Sequence, residues 1–144
     1  MKVTILGSGT SQGVPVIACD CEVCRSTDEH DKRLRSSAMI DIGDKKLIID
    51  AGPDFRTQML RAGVKDVRAL LLTHEHKDHI GGLDDIRAFN WVKQGEVEVY
   101  CNYLTMRAVQ KDYDYAFMKF RYPGVPEMNI HVVEEEPFRI DDVE

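Results

Sequence analysis

Three histidines and an aspartate lie close together in the middle of the chain, and side chains of these types bind zinc and similar ions. They are His74, His76, Asp78 and His79. In a core, each polar ring would need its own partner, whereas shared metal ions satisfy all of them. A histidine-rich surface loop is the alternative, but chance rarely gives the spacing H-x-H-x-D-H followed by two glycines. We predict that His74 and His76 share one ion and that Asp78 and His79 bind a second.

A second cluster, Cys19, Cys21 and Cys24, lies in a segment without hydrophobic periodicity. Thiols this close together are too tightly spaced for a disulfide framework, and three thiolates suit one tetrahedral zinc ion. A structural zinc would explain how such a loop stays ordered, but it requires a fourth ligand. His30 could supply that ligand locally, and three reduced surface thiols are the alternative. Cys101 stands alone and is expected to be a buried, inert thiol.

Strand and helix patterns alternate around these clusters, which predicts an α/β (α+β) fold in a single domain over residues 1–144. The apolar run from Val67 to Leu72 predicts a strand covered on both faces, directly before Thr73 and the histidines. Such a strand fixes the loop that follows it, so neighbouring side chains can converge. The other predicted strands cover residues 3–6, 38–42, 46–49, 97–100, 129–133 and 137–140, and helices cover 54–62, 83–91 and a segment that opens at Asn102.

Turn and cap residues set several of these boundaries. Gly43 and Asp44 predict the turn of a hairpin between the second and third strands. Asp54 is expected to cap the first predicted helix and Gly63 to end it. His131 falls within a strand pattern and is interpreted as an ordinary strand residue rather than a ligand.

Composition and charge narrow the possible partners. With 43% hydrophobic and 31% charged residues, the chain is typical of a soluble globular protein. A net charge of −6 argues against a broad nucleic-acid surface, and we interpret the local basic run of Lys32, Arg33 and Arg35 as a solvated loop. The first residues contain neither a signal-peptide core nor a membrane span, so we expect a cytoplasmic protein without a membrane partner.

The segment from Thr73 to Gly82 matches the pattern T-H-x-H-x-D-H-x-G-G, and through it the chain resembles the metallo-β-lactamase superfamily. Asp50, at the end of a predicted strand, resembles the acidic residue that supports the family's metal ligands from behind. The resemblance implies a four-layer αβ/βα sandwich that holds two zinc ions, or manganese or iron, with a bridging hydroxide as the nucleophile. Asp78 would then be the catalytic residue, which orients or deprotonates the attacking water as well as binding metal.

The sequence Ser11-Gln12-Gly13-Val14-Pro15, followed by C-x-C-x₂-C, resembles the cyclic phosphodiesterase branch of that superfamily over residues 3–83. This branch is typified by the phosphonate-degradation phosphodiesterase. The resemblance implies hydrolysis of small phosphodiesters, including cyclic ones, and a structural zinc whose fourth ligand is a histidine from the C-terminal part. An RNA-processing endonuclease of the same superfamily and a metal-binding module without activity are the alternatives, and a thioester hydrolase or lactamase also fits the histidine loop.

The other ligands of the family's two-metal site have no matching motif after Gly82. We therefore expect the chain to be the N-terminal half of the sandwich. Half a sandwich leaves one apolar face of the sheet uncovered, and such a patch favours association. The sequence thus predicts a homo-oligomer.

Overall fold

The computed structural model describes residues 1–142, which contain one sheet of six strands arranged in chain order. The strands are β1 (Lys2–Gly7), β2 (Ser37–Ile42), β3 (Lys45–Ile49), β4 (Ala69–Leu72), β5 (Val97–Cys101) and β6 (Met128–Val132). The pairs β1–β2 and β2–β3 are antiparallel, whereas β3 to β6 run parallel. Gly43, with a φ of 64°, turns the hairpin between β2 and β3, as predicted.

Parallel strands need crossover connections, and helices make them in this protein. The helices are α1 (Glu22–Arg25), α2 (Phe55–Arg61), α3 (Lys77–Ile80), α4 (Arg87–Lys93), α5 (Tyr103–Asp112) and α6 (Asp114–Phe117), with 3-10 turns at Glu29–Asp31 and Leu83–Ile86. Residues of α2, α4, α5 and α6 belong to the same buried cluster as residues of the sheet. These helices therefore cover one face. No helix within residues 1–142 is both long enough and apolar enough to cross a membrane.

The main core lies between the sheet and this helical layer. Ile48 of β3 and Leu70 of β4 are fully buried in it, together with Phe55 of α2 and Phe89 of α4. The two phenylalanine rings meet edge to face, with their centroids 6.2 Å apart. Ala69, on the other face of β4, is equally buried. The apolar run that predicted a strand covered on both faces is thus confirmed.

The opposite face of the sheet has a much smaller core. Its buried residues are Leu47, Ala69 and Ile140, with Phe138 packed against them. Val3 of β1, which pairs with Ile40 on this face, is 55% exposed. One mixed sheet with one helical layer confirms the predicted α/β fold class, and it forms one of the two αβ halves of the expected sandwich.

One local prediction is wrong and two are confirmed only in part. No strand forms over residues 137–140, where Ile140 makes only an isolated β-bridge and packs with Phe138 on the sheet face. The predicted helix over 83–91 is divided into a 3-10 turn and α4, since Asp85 N–H donates to Gly82 O at 3.1 Å in a tight first turn. Asp54 does not cap α2 with its side chain, because its carboxylate accepts from the backbone and guanidinium of Arg35.

Other boundaries are confirmed. Gly63 follows α2 with a φ of 64°, the left-handed conformation that ends many helices. Asn102 caps α5 by accepting a hydrogen bond of 2.8 Å from Thr105 N–H.

Candidate metal centre

The topology brings both clusters to the same edge of the sheet. β1, β3, β4 and β5 share one direction, so the loops that follow them emerge together. Asp50 comes directly after β3 and Thr73 directly after β4, and Asp50 N–H donates to Leu71 O at 2.9 Å. The carboxyl ends of parallel strands are the usual position of a site in α/β folds.

The histidine loop, residues 74–79, changes from extended to helical backbone at His76. This residue is extended, with φ −65° and ψ 148°, and precedes α3, which carries Asp78 and His79. The ring centroid of His74 lies 4.6 Å from that of His76 and 3.9 Å from that of His79. Oδ2 of Asp78 lies 3.1 Å from Nε2 of His79. The structure therefore brings the four predicted side chains together at the edge of the sheet.

Asp50 anchors this loop from the end of β3. Its side chain is nearly buried, and its carboxylate accepts from Thr73 N–H at 2.8 Å, from the Thr73 hydroxyl at 2.9 Å and from His79 Nδ1 at 2.7 Å. The backbone of Asp50 is left-handed, with a φ of 64°, which is uncommon for a residue other than glycine. Because the Nδ1 proton of His79 points at Asp50, Nε2 remains available on the side that faces Asp78.

Two glycines let the Asp50 segment pack directly on the backbone of the histidine loop. A Cβ atom on Gly52 would lie 2.0 Å from the Asp78 carbonyl oxygen, and one on Gly82 would lie 2.1 Å from the Gly52 oxygen. Ala51 N–H donates to His79 O, and Gly82 N–H donates to Ala51 O, both at 2.8 Å. The family resemblance predicted the supporting role of Asp50, but the close contact of Gly52 with the Asp78 backbone is visible only in three dimensions.

The other side of α3 is held by α5 and the residue that follows it. Lys77 forms an ion pair with Asp112, and the hydroxyl of Tyr113 donates to Ile80 O at 2.7 Å. Burial raises the pKa of Tyr113 to about 12, so this hydroxyl keeps its proton. Nothing in the spacing of the motif indicated that Tyr113 has this position.

Cys19, Cys21 and Cys24 form the one group in residues 1–142 whose three ligand atoms all lie within 4.8 Å of one another. Cys21 precedes α1, and hydrogen bonding led by the Cys24 backbone N–H lowers the pKa of its thiol. Val16 N–H donates to Sγ of Cys24 at 3.4 Å. Three converging sulfur atoms with N–H donors beside them fit the chemistry of a tetrahedral zinc ion.

The histidine loop has a different arrangement of donors. It does not bring three ligand atoms within the same 4.8 Å. Oδ2 of Asp78 and Nε2 of His79 lie 3.1 Å apart, whereas the ring of His74 is closer to that of His79, at 3.9 Å, than to that of His76, at 4.6 Å. Imidazole and carboxylate groups suit zinc, manganese and iron alike, so this set fits a divalent ion without selecting one.

The remaining candidates lie elsewhere. His30 is not part of the cysteine group; its side chain is 95% exposed and its Nδ1 lies 2.8 Å from the carboxylate of Asp28. His131 lies in β6, bonded to Glu98 and stacked on Tyr100 with ring centroids 4.6 Å apart, as expected for an ordinary strand residue. Cys101 is 1% exposed, which confirms the predicted buried position, and burial raises the pKa of its thiol to about 11.

All three basic side chains of the run at residues 32–35 bind within the protein, and Lys32 Nζ donates to the Ser26 carbonyl oxygen. Arg35 pairs with Asp54 at 3.1 Å and donates from Nε to Ser11 O at 3.0 Å. Arg33 donates from Nε to His30 O at 3.3 Å. These guanidinium groups therefore stabilise the loop between β1 and β2.

Comparisons with known proteins place this geometry in a family. The profile described as "Beta-lactamase superfamily domain" matches residues 45–144. A crystal structure of a diphosphatase from the PhnP family superposes on 95% of the chain with a TM-score of 0.85 and 42% sequence identity, and the chain covers 52% of it. Zinc-bound PqqB from Methylobacterium extorquens superposes on 94% of the chain with a TM-score of 0.72 and 25% identity, and 47% of it is covered.

Among curated proteins, an octanoyltransferase of Porphyromonas gingivalis is 46% identical over 146 residues, which are 99% of this chain and 29% of that protein. The chain thus spans about half the length of the two solved relatives and less than a third of the curated one. The resemblance predicted from the histidine and cysteine motifs is confirmed. The chain belongs to the β-lactamase superfamily, whose members are generally hydrolases.

Proposed function

We propose that the protein is a metal-dependent hydrolase of phosphodiesters, including cyclic ones, and that His74, His76, Asp78 and His79 hold its ions. The observation that carries this proposal is the convergence of these four side chains at the end of β4, with Asp50 hydrogen-bonded to His79 at 2.7 Å. The 42% identity with a PhnP-family diphosphatase supports a phosphoric substrate rather than a lactam.

Divalent ions bound here would lower the pKa of water and neutralise charge on the phosphoryl oxygens. The protein would contribute by orienting its ligand atoms toward these ions. Asp50 binds Nδ1 of His79, so that Nε2 is on the side of Asp78, and the backbone changes from extended to helical at His76, just before the donors on α3. The Asp78 carboxylate, half-buried beside His79, is the residue that we propose to orient the attacking water and accept its proton.

We further propose that Cys19, Cys21 and Cys24 hold a structural zinc ion. Their sulfur atoms lie within 4.8 Å of one another, and the fold already supplies an N–H donor to Cys24. A fourth ligand is needed to close the site. The position of His30 beside Asp28, outside the cluster, argues against this residue as the fourth ligand.

The test is hydrolysis of bis(p-nitrophenyl) phosphate by the purified protein supplied with zinc, manganese or iron. We expect His76→Ala, which removes a proposed metal ligand, and Asp78→Ala, which removes a ligand and the proposed general base, each to lower the rate by at least about 100-fold. Glu75→Ala is the matched control, because Glu75 lies between two ligands but is exposed. Full activity in both test variants would contradict the proposal.

The substrate class can be sharpened in the same assay. A phosphodiester, a phosphoanhydride such as a nucleoside diphosphate and an acyl thioester should be compared at equal concentration. The anhydride follows from the diphosphatase relative and the thioester from the octanoyltransferase relative. Faster turnover of the phosphodiester supports the proposal. Faster turnover of the anhydride or the thioester would contradict it and would identify that compound class as the substrate.

The RNA-processing endonuclease remains the second candidate. The net charge of −6 and the internal use of Arg33 and Arg35 argue against it. Binding of transfer RNA at moderate salt would favour it. Metal uptake without turnover of any substrate would instead indicate a metal-binding module.

A further inference from the structure

We propose that Thr73 is a positioning residue that extends the influence of Asp50 to a second histidine. This inference rests on the metal site proposed above and adds a role for the residue just before its first ligand. Thr73 Oγ1 lies 3.0 and 2.9 Å from the two Asp50 carboxylate oxygens and 3.0 Å from His74 Nδ1. The hydroxyl therefore stands between a carboxylate and an imidazole that do not bond to each other directly.

The direction of each hydrogen bond follows from what each group can donate. An ionised carboxylate only accepts, so the single proton of the Thr73 hydroxyl points at Asp50. The oxygen of that hydroxyl then has only lone pairs to offer to His74, and Nδ1 of His74 must carry the proton between them. His74 is thus held as the Nδ1–H tautomer, which leaves Nε2 free to bind an ion.

The same carboxylate fixes His79 without an intermediary. Oδ2 of Asp50 accepts from Nδ1 of His79 at 2.7 Å, whereas Thr73 Oγ1 lies 3.5 Å from that nitrogen. One buried acid therefore sets the tautomers of two histidines, directly for His79 and through a hydroxyl for His74. In the proposed metal site these rings belong to different ions, so Thr73 and Asp50 would link the two.

The role of the Thr73 hydroxyl can be tested without disturbing the hydrogen bond made by the Thr73 backbone. Thr73 N–H also donates to Asp50, at 2.8 Å, and any residue except proline would keep that bond. Thr73→Val removes the hydroxyl and keeps a β-branched side chain of nearly the same shape. Thr73→Ser restores the hydroxyl. Thr105→Val is a matched control, because the Thr105 hydroxyl is fully buried and has no hydrogen-bond partner within residues 1–142.

The first measurement is the tautomer of each histidine ring, from the nitrogen chemical shifts of the metal-free protein above the ordinary pKa of imidazole. We expect one Nδ1–H form for both rings in the wild type. In Thr73→Val, His74 should become a mixture of tautomers while His79 stays unchanged. The second measurement is affinity for Co²⁺ at the histidine site, whose absorption differs from that of thiolate-bound Co²⁺. Thr73→Val should weaken it about 10-fold, the lower range for partners behind metal ligands.

Thr73→Ser should bring both readouts back to the wild-type values, and Thr105→Val should leave both unchanged. The proposal is overturned if Thr73→Val keeps a single His74 tautomer and wild-type affinity, if serine fails to restore them, or if Thr105→Val weakens binding equally. Absence of hydrolysis in the wild type, with tautomers and Co²⁺ binding as described, would contradict the proposed function but not this role of Thr73.

Discussion

The two candidate metal sites lie at the same edge of the sheet but are built in opposite ways. The histidine loop follows a buried strand and packs on the Asp50–Gly52 segment, with Ala51 N–H bonded to His79 O. The cysteine loop, residues 14–33, is closed by the bridge between Val14 and Arg33, and none of its residues is buried. Its regular structure consists of α1 and one 3-10 turn.

This difference indicates what a bound ion would do in each loop. Ordering a chain segment without a core is unfavourable, because about 1–2 kcal/mol of conformational entropy is lost per residue. The core and the Asp50 hydrogen bonds offset this loss in the histidine loop, so an ion there meets donors already in place. In the cysteine loop the ion itself must supply much of the order.

Of the variants proposed, Gly52→Ala is expected to have the largest effect on stability, because it disturbs the packing of the histidine loop. A Cβ atom would lie 2.0 Å from a backbone oxygen of Asp78, so the segment must shift, and we expect a loss of about 3 kcal/mol in the free energy of unfolding. Urea unfolding measures this loss. Gly95→Ala is the control, because nothing lies within 4 Å of its Cβ position. An unchanged urea midpoint in Gly52→Ala would mean that the histidine loop is not rigidly packed.

Cys21→Ala should affect the other loop without affecting the core. Loss of an ion present at 100 times its dissociation constant removes about 2.7 kcal/mol of stabilisation. We therefore expect amide hydrogen exchange to rise over residues 14–33 while β3 and β4 remain protected, together with the loss of one equivalent of zinc. His30→Ala is the control and should change neither readout. Unchanged exchange in Cys21→Ala would show that the loop is ordered without its ion.

Tyr113→Phe should have a smaller effect on the histidine loop. It removes the hydrogen bond to Ile80 O, and a bond of this kind contributes about 1 kcal/mol. The decrease is measured by urea unfolding and should be accompanied by faster exchange at the amides of α3. Tyr122→Phe, at a position that is 83% exposed, is the control. If both variants unfold at the same urea concentration, the hydrogen bond from Tyr113 to Ile80 contributes little to stability.

The sequence predicted the donors of both sites because their geometry is local. His74 and His76 are two residues apart in one short loop, and the cysteines lie around the first turn of α1. Strand β4 was also predictable, since its apolar run is buried on both faces. Where hydrophobic periodicity and ligand spacing agree, a short segment of sequence is enough to predict both the strand and the donor residues that follow it.

The supports of the sites were less predictable, because they join distant parts of the chain. Tyr113 bonds to a residue 33 positions away, and Asp54 binds Arg35 across 19 positions instead of capping its own helix. The fit of Gly52 against Asp78 depends on how two loops meet in space. Spacing along the chain does not encode such contacts. The Gly-Gly pair at 81–82 did stand out in the sequence, and Gly82 is one of the residues that contact Gly52.

Each strand of the sheet pairs with the strand that precedes it in the sequence, from β1 through β6. A ribosome releases the strands in the same order, so every new strand meets a partner that already exists, and no later strand must insert between earlier ones. The contacts between Asp50 and the histidine loop involve only β3, β4 and the residues after them. A nascent chain can therefore form the hydrogen bonds between Asp50 and the histidine loop, which carries the proposed metal ligands, while β5 and β6 are still being synthesised.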